Sequence, residues 1–90
     1  MSESCEETIT LAGDLHARPA GALSVAAAKF DSKVQLSVGE NQADVKSVLA
    51  VMQLGASSGQ QVTVRASGPD AREAVTAILA ILAEATTVGE

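Results

Sequence analysis

Thr8-Ile9-Thr10-Leu11 alternates polar with apolar residues, the period-two signature of a strand with one face buried, and Gly13 ends it. The period then changes. From Ala17 to about Phe30 the apolar residues Ala20, Leu23, Ala27 and Phe30 recur at helical spacing, with Val25 and Ala26 broadening the stripe. The small residues of that stripe would let a helix lie close to a sheet. Val34, Leu36 and Val38 alternate with Lys33, Gln35 and Ser37; Gly39-Glu40-Asn41 supplies a turn, and Ala43 and Val45 resume the alternation, which reads as a hairpin. Ser47 can cap a helix of about two turns through Gln53, ended by Gly55 in the left-handed conformation. Val51 and Leu54 are its best core candidates by spacing. Val62, Val64 and Ala66 form the inward face of a fourth strand between Ser57-Ser58-Gly59 and Ser67-Gly68-Pro69. A last helix carries Ala71, Ala74, Val75, Ile78, Leu79 and Leu82 on one face, with Pro69 near its first turn and Asp70 beside its positive dipole end.

The resulting order, β-α-β-β-α-β-α, contains no repeat, linker or low-complexity tract. It predicts an α+β fold in two layers, with three helices on one face of a small four-stranded sheet and the other face wet. Element types alone would also fit ferredoxin-like modules. Ninety residues, 1–90, make a single domain with a modest core. Tyr and Trp are absent and Phe30 is the only aromatic residue, so Ala, Val, Leu and Ile must build that core.

Charge narrows the function classes. Six Lys and Arg against eleven Asp and Glu give a net charge of −5, which disfavours nucleic-acid or anionic-membrane binding and points to protein partners. The first residues, Ser2-Glu3-Ser4-Cys5-Glu6-Glu7, are acidic where a secretory signal would be basic and then apolar. No apolar run approaches the ~18–20 residues of a membrane span, so a cytoplasmic protein without direct membrane insertion is expected. One Cys and one His cannot make an internal disulfide or a structural zinc set, and no metal or cofactor is expected. Cys5 reads as an incidental thiol in a frayed terminus. With no glycine-rich phosphate loop followed by Lys and no second His for a relay, the chain is not expected to be an autonomous enzyme.

The remaining chemistry centres on His16, within Asp14-Leu15-His16-Ala17-Arg18-Pro19-Ala20-Gly21. Pro19 fixes its own φ and disfavours the α region for Arg18, so a helix should begin within a residue or two of this run. Unpartnered N–H groups and the peptide dipoles at that helix start favour an anion beside His16, and Arg18 adds a planar fork of donors suited to phosphate oxygens. The same potential disfavours protonation, which predicts a His16 that titrates below the free value of ~6.5 in an NMR titration and stays nucleophilic. Donors, cation and nucleophile together point to phosphoryl transfer.

Leu15-His16-Ala17-Arg18-Pro19-Ala20 resembles the active-site segment of HPr, the histidine-containing phosphocarrier family of the bacterial phosphoenolpyruvate-dependent sugar phosphotransferase system. Lys46-Ser47-Val48-Leu49-Ala50-Val51-Met52-Gln53-Leu54-Gly55 is similar to that family's regulatory-serine helix, at the expected distance downstream, and the likeness runs from about Glu7 to about Glu84. The resemblance implies an open-faced sandwich with antiparallel strands in the order 1-4-2-3. It implies a phosphocarrier that accepts a phosphoryl group on Nδ1 of His16 from phosphorylated enzyme I and delivers it to soluble domains of sugar permeases, with Arg18 stabilising the phosphate. It also implies regulatory phosphorylation of Ser47 by an HPr kinase/phosphorylase and contacts with transcriptional regulators. Val48, Leu49 and Met52 read as an exposed apolar patch flanking the His16 site, and with Ala20 they form the candidate partner surface.

Two departures qualify the likeness. Asp14 stands where the family has a glycine, with Gly13 one place upstream, and Val25, Ala28 and Ala50 are neutral where several relatives carry lysines, leaving Lys29 and Lys46 as the nearby cations besides Arg18. Steering should be weaker and apolar docking more important. Two other readings stay open: a regulatory phosphocarrier of the nitrogen-related branch, separable by tests against each enzyme I, and a non-phosphorylated interaction or ligand-binding module, which would need neither His16 nor Arg18.

Overall fold

The computed structural model describes residues 3–11, 13 and 17–85, and side chains of 4–11, 13 and 20–83. Among these, the elements run β1 (Glu3–Thr10), α1 (Ala17–Ala27), β2 (Lys33–Val38), β3 (Asn41–Asp44), α2 (Val48–Gln53), β4 (Gln61–Gly68) and α3 (Ala71–Ala85). The strands form one antiparallel sheet in the order β1-β4-β2-β3. Register follows the apolar alternation. Ile9 pairs with Val62, Leu36 with Val64 and with Ala43, and Val34 with Ala66, so one face of the sheet is apolar along its centre, with exposed Glu7 opposite Val64 at the β1 edge. The residues between them, including the pairs Thr8 and Thr63, Glu6 and Arg65, and Gln35 and Arg65, lie on the other face. Arg65 donates to Glu6 there through Nε at 2.9 Å and Nη2 at 2.7 Å, an exposed pair across the β1–β4 ladder.

The helices cover the apolar face. α3 packs on β1 and β4 and against α1, while α1 also meets α2. Alanines permit the close approach: Ala20, Ala27, Ala71 and Ala74 are fully buried, and the largest side chains sealed among them are Leu23, Leu36, Ile78 and Leu82. Buried Val45 closes the β3 end, its N–H donating to the Val34 carbonyl at 2.9 Å.

Several expectations are corrected. β1 starts at Glu3, well before Thr8, because the backbone of the acidic residues pairs with β4 from Gly68 to Val64; as the edge of the sheet, this stretch needs no apolar alternation to be held. Cys5 is therefore no frayed terminus: it pairs with Ala66 and packs, half-buried, against the core. α1 ends at Ala27, since the chain beyond it tightens into i→i+3 bonds, from Lys29 N–H to Ala26 and from Phe30 N–H to Ala27, each 3.1 Å. Val25 does not broaden the buried stripe but is 65% exposed.

Asp70 does more than sit beside a dipole. Its carboxylate accepts from the N–H groups of Asp31 at 3.0 Å and Ser32 at 2.9 Å and from the Ser32 hydroxyl, and Ser32 Oγ in turn accepts from Asp70 N–H at 3.1 Å. This reciprocal knot fastens the start of α3 to the turn that enters β2. The Ser32 hydroxyl, then the Asp31 N–H, hold the Asp70 carboxyl below the ordinary range against the opposing effect of desolvation.

Candidate functional site

α2 carries most of the describable site. Ser47 stands in extended backbone (φ −104°, ψ 106°) as N-cap, its Oγ accepting from Ala50 N–H at 3.2 Å and its carbonyl from Val51 N–H at 3.1 Å. Two bonds tie the entry to α2 onto α1 and the turn after it: Ser24 Oγ donates to the Lys46 carbonyl at 2.8 Å, and Lys46 Nζ donates to the Phe30 carbonyl at 3.4 Å. The Asp44 side chain accepts from Lys46 N–H at 2.9 Å, and its carbonyl from Ser47 N–H at 3.0 Å. Ser47 is thus held at a fixed, exposed corner.

Helical spacing divides α2 cleanly. Val51 points into the core at 1% exposure, whereas Val48, Leu49 and Met52 are 37, 66 and 42% exposed. Three large apolar side chains on one short helix, left open to solvent, are what a docking face requires. Ala20 is different. It is fully buried in the core and so offers no partner surface, correcting the expectation that grouped it with the α2 residues. Its place on the inner face of α1 follows from the same spacing that buries Leu23 and Ala27.

α2 ends as the sequence predicts, with Gly55 at φ +64° and its N–H donating to the Met52 carbonyl at 3.1 Å. Asp14, Leu15 and His16 lie outside the described residues, as does the Arg18 side chain; the Arg18 backbone belongs to the first turn of α1. Leu11, five positions before His16, is fixed by two backbone bonds to a turn at Ser57–Gln60, which sequence reasoning read only as a loop. No run of residue types marks such a turn as an anchor, because its partner is some fifty positions away. Among the described residues no group of His, Cys, Asp and Glu could hold a metal ion, and no helix is long and apolar enough to cross a membrane.

Residues 4–84 match the family model described as the phosphorylation site of the HPr component of the phosphotransferase system. The chain belongs to the HPr family. It is 42% identical to the phosphocarrier protein HPr of Cupriavidus necator over 76 residues, covering 84% of this chain and 85% of that one. Against the HPr of Mycoplasma capricolum the identity is 41% over 64 residues, covering 71% and 72% of the two chains. Among solved structures, the histidine-containing phosphocarrier protein of a Mycoplasma superposes with a TM-score of 0.81 at 34% identity, covering 97% of this chain and all of that one. The strand order seen here is the one the HPr resemblance implied. HPr proteins are phosphocarriers of the phosphotransferase system.

Proposed function

We propose that this chain is a cytoplasmic phosphocarrier that takes a phosphoryl group onto Nδ1 of His16 from phosphorylated enzyme I and hands it to soluble domains of sugar permeases, all 90 residues acting as one carrier domain. The observation that carries this reading is the match of residues 4–84 to the HPr phosphorylation-site family, with Leu15-His16-Ala17-Arg18-Pro19-Ala20 leading into α1. In each transfer one P–N bond forms on the imidazole as the donor's bond to phosphorus breaks, and the reverse exchange discharges the carrier. The partner supplies most of the in-line geometry; Arg18 neutralises charge on the phosphate oxygens. The chain is then a substrate and a donor, and the catalysts are its partners.

Ser47 is the proposed regulatory site. Phosphate there would set dianionic charge beside Val48, Leu49 and Met52 while remaining compatible with the start of α2, so it would act on docking and leave the fold intact. An HPr kinase/phosphorylase and transcriptional regulators are the corresponding partners.

A relay assay tests the carrier role: phosphoenolpyruvate, enzyme I and a permease acceptor domain are combined with or without the chain. Phosphate should reach the acceptor only when the chain is present and should stop with His16→Ala. Transfer that proceeds equally through His16→Ala would overturn the reading.

A further inference from the structure

We propose that Gln60 is a positioning residue for phosphoryl transfer, locking the turn that fixes Leu11 ahead of His16; this rests on His16 being the phosphoacceptor. The β1–β4 ladder formally ends at the pair Thr10 and Gln61. Two further bonds extend it: Leu11 N–H donates to the Gln60 carbonyl, and Gly59 N–H donates to the Leu11 carbonyl, both at 2.9 Å. Both backbone polar groups of Leu11 are therefore committed to one turn, and its side chain is buried.

That turn is exposed from Ser57 to Gln60, so hydrogen bonds and not burial must hold its shape. Gln60 supplies bonds on both sides of it. Its N–H donates to the Ser57 carbonyl at 3.1 Å, and its side-chain Oε1 accepts from Ser57 N–H at 2.7 Å, closing the turn from both sides. Ser57 Oγ then donates to the Gly55 carbonyl at 3.2 Å, linking the turn to the end of α2. Gly59 adopts φ +89°, with nothing within 4 Å of an added Cβ; the glycine serves the backbone conformation and not a tight space. Through its N–H, carbonyl and Oε1, Gln60 thus connects α2's exit to the last ladder residue before the His16 segment. A nucleophile displaced slightly reacts more slowly even when its partner still docks, and the hydrogen bond of the Gln60 side chain runs to Ser57, outside α2.

The test uses the full chain as wild type, Gln60→Ala and Gln60→Glu, charged by phosphoenolpyruvate and enzyme I. Gln60→Ala should lower the maximal transfer rate about three- to tenfold with an unchanged half-saturating concentration, the signature of lost alignment. Exchange of the Leu11 amide should quicken in the same variant, and Gln60→Glu, which retains an acceptor for Ser57 N–H, should restore both. A wild-type maximal rate in Gln60→Ala, or equal slowing in both variants, would overturn the inference while leaving the phosphoacceptor reading standing. A wild-type chain that accepts no phosphate would overturn that reading and the inference with it.

Discussion

At Gly68 the backbone has φ +146°, and an added Cβ would stand 2.6 Å from Ser32 Oγ and 2.7 Å from Ser32 Cα. Neither atom can yield, since Ser32 is fully buried and bonded to Asp70. Gly68→Ala should therefore lose at least ~1–3 kcal/mol from backbone strain alone, with the clash in addition, seen as a lower urea midpoint. Gly21 gives the opposite sign: it lies inside α1 with nothing within 4 Å of an added Cβ, so Gly21→Ala should gain ~0.5–1 kcal/mol in the same titration. Arg18 is the proposed phosphate-stabilising residue. Removing a charged donor worth ~1.5–3 kcal/mol predicts that Arg18→Ala slows phosphoryl transfer about tenfold or more, with wild-type rates in both directions as the contrary result.

At the scale of elements, substitutions at the start of α2 test stability and the proposed docking separately. Ser47→Ala removes the acceptor for Ala50 N–H and should lower stability by ~1 kcal/mol, whereas Ser47→Asp keeps a good cap and should stay within about 0.5 kcal/mol of wild type. Only the aspartate should raise the half-saturating concentration for enzyme I, because it alone places charge beside Val48, Leu49 and Met52. An aspartate variant that docks like wild type would contradict a regulatory role for the site. The elements also show what the sequence could reveal. α3 and β4 were legible because burial on one face imposes a period, and Ala71, Ala74, Val75, Ile78 and Leu82 or Val62, Val64 and Ala66 display it. The first half of β1 was not, since an edge strand holds Glu3 to Glu7 by backbone pairing that any side chain permits. The α2 face was legible from spacing within one helix; the Ser24–Lys46 tie and the Ser57–Gln60 anchor were not, because each joins residues whose proximity only the assembled fold creates.

The whole molecule depends on a small, alanine-lined core closed by a few polar fasteners, among them the Ser32–Asp70 knot, which sets a pH dependence. Because the Asp70 carboxyl is depressed on folding, its contribution is complete above its unfolded value, ordinarily 3.8, and is lost as pH falls through the folded one. Thermal melts should show Ser32→Ala less stable than wild type at neutral pH, with the gap narrowing in acid as Asp70 is protonated; a pH-independent gap would contradict that linkage. Intact-mass measurement after incubation with phosphoenolpyruvate and enzyme I tests His16 as the phosphoacceptor most directly. One added phosphoryl group that is labile in acid and absent from His16→Ala is the predicted result; no added mass with an enzyme I from the same organism, or an acid-stable addition that survives in His16→Ala, would contradict it.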